Sequence, residues 1–252
     1  MVILPRNGIA AALVALCSAL PAQALDIENL DAAGRAALRA EIRAYLLANP
    51  EVIMEAVAVL EERQAADQAA ADVDLVRANA EALFDAPGDW VGGNPEGDIT
   101  LVEFMDYRCS YCRRAFDEVE GLVAADGNIR FVLKEFPILG DESVAASRFA
   151  IAAKQVAGDA AYKAVHDALM SYTGAMNEAG FTRLADALGL DANAIVAAMD
   201  SDAVTEVIAA NHALAQRLRI NGTPAFVMGE QMLRGYLPQD QMQAIAAEIR
   251  AN

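Results

Sequence analysis

Residues 103–116 read EFMDYRCSYCRRAF. The apolar, β-branched run at 99–105 (ITLVEFM) predicts a buried strand, and the residues after it predict an amphipathic helix that ends near Gly127. The run at 129–136 (IRFVLKEF) predicts a second strand. A strand, a helix and a strand this close together form a right-handed crossover in which the two strands are parallel.

The chemistry of this segment depends on Cys109 and Cys112. A structural zinc site needs four ligands, usually in two close pairs. The sequence offers one such pair, and His166 and His212 each lie in a helical segment with no partner at metal spacing. Two thiolates can hold Cu(I) by themselves, so copper binding stays open as an alternative. A disulfide that closes so short a loop stabilises weakly, which makes thiol–disulfide exchange the favoured interpretation.

The position of Cys109 suits exchange, because unpaired amide groups at a helix N-terminus stabilise a thiolate. Arginines 108, 113 and 114 add positive charge nearby. Both effects should lower the thiol pKa, and the thiolate is the form that attacks a disulfide. Cys112 is one turn further along and more shielded, so it can resolve the mixed disulfide. A C-x-x-C between a strand and a helix is a strong signal of redox function.

The C-terminal half continues with a helical block and returns to strands. Residues 141 to about 219 are alanine-rich and mostly helical, with predicted breaks at Gly158, Gly174, Gly180 and Gly189. Strand-forming residues follow at 225–228 (AFVM) and 232–236 (MLRGY), and a last helix is expected after Pro238. The predicted order is therefore β-α-β, a helical insertion, and β-β-α.

The N-terminal part predicts a helical arm over residues 25–86. A short helix is expected over 26–48, and a second one runs without glycine or proline to about Phe84, before Pro87-Gly88. Its first apolar stripe, with that of the short helix, is a candidate self-association surface: Leu38, Ile42, Leu46, Ile53, Val57 and Leu60. Folding back onto the following domain is the alternative. The polar centre of the long helix favours homo-oligomer formation.

The chain begins with the features of an export signal. Residues 1–24 combine one positive charge, an apolar stretch and an Ala-x-Ala ending, which predicts a signal peptide cleaved after Ala24 and a periplasmic location. Cleavage removes one of the three cysteines and leaves Cys109 and Cys112 in an oxidising compartment. The formal charge of −17 argues against nucleic acid as a partner.

The segment EFMDYRCSYC, with GTPAF at 222–226, resembles the thioredoxin-fold disulfide oxidoreductases of the DsbA type. The resemblance implies an α/β thioredoxin-like fold over 87–252, with an inserted helical domain at about 141–219 and a preceding N-terminal helical arm. The stretch YLLANPEVIMEAV in the arm resembles ScsC-like members, which are exported proteins associated with copper tolerance.

The resemblance also implies roles for particular residues. Cys109 matches the attacking cysteine and Cys112 the resolving one, while Glu103 matches a buried acid that relays a proton to the resolving thiol. Thr223-Pro224 matches a loop with a cis-proline that faces the cysteines and presents its backbone to an extended substrate. Together with Ser110 and Tyr111 between the cysteines, this loop is the expected substrate-binding region. No cofactor is implied.

Two departures from the DsbA oxidases affect the expected direction of the reaction. Those enzymes typically have Pro-His between the cysteines and valine before the cis-proline, whereas this chain has Ser110-Tyr111 and Thr223. The difference favours an isomerase or a reductase over a dedicated oxidase. Expected partners are exported proteins with thiols or disulfides and a membrane redox partner that recycles the cysteine pair.

Overall fold

The computed structural model of the chain describes residues 29–251. Its contacts divide the chain into two compact units, the first ending at Leu60 and the second beginning at Glu61. The predicted signal peptide lies outside the described residues. Within the described range, the helices are too short or too polar for a membrane span.

The first unit contains α1 (Ala32–Ala48) and the beginning of α2 (Glu51–Ala78). The Asp31 carboxylate caps α1 by accepting a hydrogen bond from the Gly34 N–H at 2.7 Å. Several large apolar side chains of this unit are exposed, among them Ile42, Tyr45, Ile53, Met54, Val57 and Leu60. These side chains form an exposed apolar surface on the first unit.

The helix predicted to run unbroken to Phe84 is interrupted. It ends at Ala78, and α3 (Ala80–Phe84) follows after Asn79. The amide side chain of Asn79 donates to the Leu75 carbonyl at 2.9 Å, and such a local bond competes with continuation of the helix. Val76 and Leu83 flank this break and are buried against the sheet of the second unit. The prediction of one continuous helix is therefore wrong at this point.

The second unit is built on a five-stranded sheet with the order β1-β3-β2-β4-β5. Its strands are β1 (Trp90–Gly93), β2 (Ile99–Met105), β3 (Ile129–Glu135), β4 (Ala225–Met228) and β5 (Gln231–Arg234). The pair β2–β3 is parallel, as predicted, and the other pairs are antiparallel. Strand β1 was not predicted, because two of its four residues are glycines and only pairing with β3 defines it.

Both faces of the sheet are covered. Leu101 and Phe131 point into one core, and Val102 and Val132 into the other, as the two-residue period of a strand requires. The helices of this unit, besides the end of α2 and α3, are α4 (Ser110–Asp126), α5 (Asp141–Ala157), α6 (Asp159–Ser171), α7 (Glu178–Ala187), α8 (Ala192–Ala198), α9 (Asp202–Arg217) and α10 (Gln239–Ala251).

The helical insertion consists of α5 to α9, between β3 and β4. One predicted break is wrong, because Gly180 lies inside α7. Its N–H donates to the side chain of Asn177, which caps the helix at 3.0 Å. The prediction for the helix after the first strand is confirmed, since α4 ends at Asp126 and Gly127, whose φ of 69° suits glycine, is its C-cap residue.

Candidate active site

The segment between β2 and α4 is held by one carboxylate. Asp106 accepts hydrogen bonds from the backbone N–H groups of Arg108 at 2.7 Å, Ile138 at 2.8 Å and Leu139 at 3.1 Å. The side chain therefore joins the loop before the cysteines to the loop after β3. Cys109 follows as the N-cap residue of α4, which places its sulfur at the helix N-terminus, as the sequence predicted.

Cys109 faces the cis-proline loop. Its Sγ lies 3.2 Å from the carbonyl oxygen of Thr223, to which the thiol donates, and the Thr223–Pro224 peptide bond is cis, as the resemblance implied. Cys109 and Cys112 are both free thiols. The three predicted residues Cys109, Thr223 and Pro224 thus lie together, although they come from distant parts of the chain.

The pKa values of the two thiols are shifted in opposite directions. A hydrogen bond from the Cys112 thiol, one with the Thr223 side chain, and the backbone N–H groups of Cys112 and Tyr111 lower the pKa of Cys109 to about 5. Burial raises the pKa of Cys112 far above its usual value, and its hydrogen bond to Cys109 adds to the effect. At neutral pH Cys109 is therefore the thiolate and Cys112 holds its proton.

The expected contribution of the arginines differs from what the structure shows. Arg108 pairs with Glu142 at 3.1 Å, Arg113 donates from Nε to the Tyr107 carbonyl at 2.8 Å, and the Arg114 guanidinium lies 4.4 Å from the centre of the Tyr236 ring. These side chains are bound to other groups. The lowering of the Cys109 pKa comes instead from hydrogen bonds, of which the one from the Cys112 thiol is the largest cause.

Glu103 lies on the central strand, between Leu133 of β3 and Phe226 of β4. It is 3% exposed, and its Oε1 atom has no hydrogen-bond partner in the described part of the chain. Burial raises the pKa of this carboxyl to about 8, and the charges of Glu120 and Cys109 contribute to the rise. The Glu103 charge in turn raises the pKa of Cys112, so the two groups interact electrostatically.

Ser110 and Tyr111 are both exposed at the start of α4. Tyr111 is 58% exposed, whereas Cys109 is only 7% exposed. Both side chains therefore lie at the protein surface directly after Cys109 in the chain.

Sequence reasoning missed a buried polar cluster around Glu135, at the end of β3. Its carboxylate accepts hydrogen bonds from the hydroxyls of Tyr107 at 2.8 Å, Tyr162 at 2.7 Å and Ser147 at 2.7 Å. Burial nevertheless raises the pKa of Glu135 to about 7. A carboxylate at the end of an apolar strand was the available signal, but its hydroxyl partners are distant in sequence.

His166 belongs to this cluster. Its Nδ1 lies 3.1 Å from the Tyr107 hydroxyl. Because that hydroxyl donates to Glu135, the contact assigns the proton to the His166 Nδ1. Burial lowers the pKa of His166 to about 3, so the ring is neutral. The cluster joins the helical insertion to Tyr107, two residues before Cys109.

His212 packs against the Phe136 ring, with a distance of 4.9 Å between the ring centres. Among residues 29–251, no three His, Cys, Asp or Glu side chains come together in a way that could hold a metal ion.

The fold is thioredoxin-like α/β with an inserted helical domain. It is defined by a parallel strand–helix–strand unit, two antiparallel strands and a C-x-x-C opposite a cis-proline. The sequence profile of the DSBA-like thioredoxin domain matches residues 100–247, more than half of the chain. The profile of the copper resistance protein ScsC N-terminal domain matches residues 35–67. The chain therefore belongs to the DSBA-like thioredoxin domain family.

Solved structures agree with this assignment. A thioredoxin-like oxidoreductase from Silicibacter pomeroyi DSS-3 is 46% identical, with a TM-score of 0.64, over 68% of this chain and 98% of that one. BcfH of Salmonella enterica Typhimurium is 29% identical, with a TM-score of 0.70, over 84% and 94%. ScsC of Proteus mirabilis in a transitional conformation is 27% identical, with a TM-score of 0.63, over 88% and 97%.

Curated relatives are longer proteins. The chain is 28% identical over 151 residues to the Na⁺/H⁺ antiporter NhaA 3 of Salinispora tropica and 28% identical over 166 residues to NhaA of Herminiimonas arsenicoxydans. It spans about a quarter of their length, 23% and 26% respectively.

Proposed function

We propose that this protein is an exported thiol–disulfide oxidoreductase that acts on the disulfides of other exported proteins. The observation that carries the proposal is that the pKa values of two adjacent thiols are shifted in opposite directions. Cys109 has a pKa of about 5 and is nearly all thiolate at neutral pH, whereas the pKa of buried Cys112 is strongly raised. One sulfur is thus ready to attack while its neighbour stays protonated.

The first step is attack of the Cys109 thiolate on one sulfur of a client disulfide. A bond forms between Cys109 Sγ and that sulfur, the client S–S bond breaks, and the other client sulfur leaves as a thiolate that takes a proton from water. The product is a mixed disulfide. Its Cys109 sulfur lies at the N-terminus of α4, next to the Cys112 thiol.

Resolution requires Cys112 to lose its proton. We assign Glu103 as the acceptor, because it is a buried carboxyl whose pKa of about 8 lets it gain or lose a proton near neutral pH. The Cys112 thiolate then attacks Cys109 Sγ and expels the second client sulfur as a thiolate. The client disulfide is reduced by two electrons, and Cys109 and Cys112 become a disulfide that an external dithiol must reduce again.

Isomerisation uses the same mixed disulfide. A second thiolate of the client can attack the client sulfur that is bonded to Cys109. A new client disulfide then forms, and Cys109 leaves as a thiolate. No electrons are gained or lost overall. Thr223 before the cis-proline and Tyr111 between the cysteines support isomerase or reductase activity over a dedicated oxidase.

Client binding is assigned to the cis-proline loop and to the start of α4. The Thr223 carbonyl lies beside the attacking sulfur, so an extended client segment that bonds to this backbone brings its own sulfur close to Cys109. Ser110 and Tyr111, both exposed, complete the contact surface.

The first unit is assigned a role in self-association. Its exposed apolar side chains, including Ile53 and Val57, supply a surface of the required kind, and the ScsC N-terminal profile covers the same stretch. Several active sites in one assembly would face a shared client. Export to the periplasm and recycling by a membrane redox partner complete the proposal.

The decisive experiment is recovery of activity from a substrate with scrambled disulfides, using the chain without residues 1–24 and a shortened version that begins at Glu61. The structure favours this cut over one at Pro87, because Val76 and Leu83 belong to the core of the second unit. If the protein is an isomerase that needs its first unit to assemble, the longer version should unscramble the substrate and the shortened version should not. Oxidation of a reduced substrate by both, without unscrambling, would instead identify an oxidase.

A second function, Cu(I) binding by the same cysteines, is favoured by the match to the copper resistance protein ScsC N-terminal domain. Two thiolates are sufficient donors for this soft ion. Titration of the reduced protein with Cu(I) tests this function. Stoichiometric Cu(I) uptake that disappears in Cys109→Ser would identify a carrier, provided that the unsubstituted protein does not turn over disulfides.

A further inference from the structure

A cavity of about 260 Å³ lies beside the cis-proline loop. Its lining includes Ile220, Asn221, Gly222, Thr223, Pro224 and Arg234. Arg234 is the one charged side chain among the described residues that line it. The cavity is also lined by Thr223, whose carbonyl contacts the Cys109 sulfur.

Arg234 is held in a fixed orientation by Asp72 of α2. Its Nη2 donates to Asp72 Oδ1 at 3.0 Å, and its Nη1 donates to Oδ2. Asp72 is only 4% exposed, and its Oδ1 also accepts from the Gln68 side chain at 2.7 Å. A bidentate pair of this kind fixes the plane of the guanidinium group as well as its position.

The backbone around Arg234 is joined to the cis-proline loop. Arg234 pairs across the sheet with Ala225, the residue after Pro224, and the N–H of Gly235 donates to the Pro224 carbonyl at 3.0 Å. Asp72, Arg234 and the loop therefore form one connected structure beside the attacking sulfur.

We propose that Arg234 is a client-binding residue, which donates hydrogen bonds to main-chain carbonyl groups of the extended client segment, and that Asp72 is the positioning residue that orients it. The inference rests on the proposed function. Asp72 engages Nη1 and Nη2 through one N–H each, and the Arg234 side chain is 38% exposed, so further N–H groups are available to a bound segment.

The ion pair also determines what Arg234 recognises. Asp72 pairs with the Arg234 guanidinium at close range, and the charge of Arg219 also acts on Asp72. Arg234 is therefore assigned to hydrogen bonding with neutral acceptors and not to attraction of acidic side chains. Main-chain carbonyls are present in every client, whatever its sequence. Arg234 therefore contributes affinity for extended polypeptide in general, which suits an enzyme that meets many different clients.

The test compares two disulfides. One is a linear peptide that carries a mixed disulfide, and the other is 4,4′-dithiodipyridine, a small neutral disulfide without a main chain. In Arg234→Gln we expect kcat/KM for the peptide to fall about tenfold, mainly through KM, while the small disulfide is affected much less. Asp72→Asn should raise KM for the peptide to a smaller extent, because the guanidinium remains but is no longer fixed.

Arg234→Gln leaves the buried Asp72 without its cation, which could prevent folding. The double variant Asp72→Asn/Arg234→Gln removes both charges together and is expected to show the same selective loss for the peptide. Arg77→Gln is the matched control. Arg77 also joins α2 to the β4–β5 hairpin, through Glu230 at 2.6 Å, but it does not line the cavity, so the ratio of the two rates should stay unchanged.

Equal losses for both disulfides, or no loss for the peptide, in the folded double variant would overturn the assignment of Arg234. A change in the ratio for Arg77→Gln as large as that for Arg234→Gln would overturn it as well. If the unsubstituted protein reacts with neither disulfide, the proposed function itself fails, and the role of Arg234 fails with it.

Discussion

The sulfur of Cys109 lies 3.2 Å from the carbonyl oxygen of Thr223, although 114 residues separate the two in sequence. The contact belongs to the thiol form, since a thiolate has no proton to donate. When Cys109 ionises, this carbonyl loses its partner and is free to accept an N–H from a client backbone. In the proposed function, ionisation of Cys109 therefore also frees the Thr223 carbonyl for the client backbone.

The thiolate of Cys109 should be directly measurable. Titration of the reduced protein, followed by the ultraviolet absorbance of the thiolate, should show a transition near pH 5. Cys112→Ala should move the transition to higher pH, because the hydrogen bond from the Cys112 thiol is the largest cause of the low pKa. Ser110→Ala is the control, since its exposed hydroxyl has no such role. An unchanged transition in Cys112→Ala would contradict the assignment.

Glu103 should make the protein less stable as the pH rises. Its pKa is about 8 in the folded chain against an ordinary 4.5, so between these values the unfolded chain has released a proton that the folded chain keeps. Stability from this group is fully present below pH 4.5 and is lost up to about pH 8, at about 1.4 kcal/mol for each pH unit between the two values. Glu103→Gln should flatten this slope in urea unfolding measured at several pH values. A slope that persists in the variant would show that another group causes it.

Glu103→Gln should also slow resolution of the mixed disulfide. The amide cannot accept the Cys112 proton, so release of the second client thiol should lose its dependence on a group with a pKa near 8. Stopped-flow measurement with a peptide mixed disulfide separates this step from the initial attack, which should stay fast. Equal slowing of both steps would contradict a role limited to resolution.

The cluster around Glu135 should contribute to stability. Tyr107→Phe removes one of the three hydroxyl donors to a buried carboxylate and is expected to cost about 1–3 kcal/mol of unfolding free energy. Tyr111→Phe removes the same atom at an exposed position and should cost little. Urea denaturation of both variants gives the comparison, and equal midpoints would rule out the expected contribution.

Leu83 and Leu60 should behave differently, although both belong to the predicted N-terminal arm. Leu83 is fully buried in the second unit, whereas Leu60 is 54% exposed. Leu83→Ala should therefore destabilise the protein by about 2–5 kcal/mol, and Leu60→Ala should leave thermal unfolding of the second unit unchanged. Similar effects of the two substitutions would contradict the different environments of these leucines.

Self-association should depend on the exposed residues of the first unit. The double substitution Ile53→Ser/Val57→Ser removes apolar side chains from its surface and should lower the sedimentation coefficient of the protein. The Cys109 titration should remain as before. An unchanged assembly would place the contact elsewhere, and a monomeric parent protein would contradict self-association altogether.

Prediction from the sequence succeeded where the signal was local. The strand at 99–105, the helix that carries Cys112 and the second parallel strand follow from apolar periodicity and turn residues. Strand β1 was missed, because WVGG has no strand pattern of its own and exists through pairing with β3. The break at Asn79 was missed because one side-chain hydrogen bond to Leu75 decides it.

The cysteine spacing and its place between a strand and a helix predicted a redox-active pair from the sequence alone, since a helix N-terminus stabilises a thiolate whatever else surrounds it. The tertiary structure alone decided which groups lower the Cys109 pKa, because the three neighbouring arginines find other partners once the chain is folded. It also decided that Glu135 gathers three hydroxyls and that Arg234 is held by Asp72 beside the cis-proline loop. These contacts join residues that are far apart in sequence, so local sequence patterns cannot predict them.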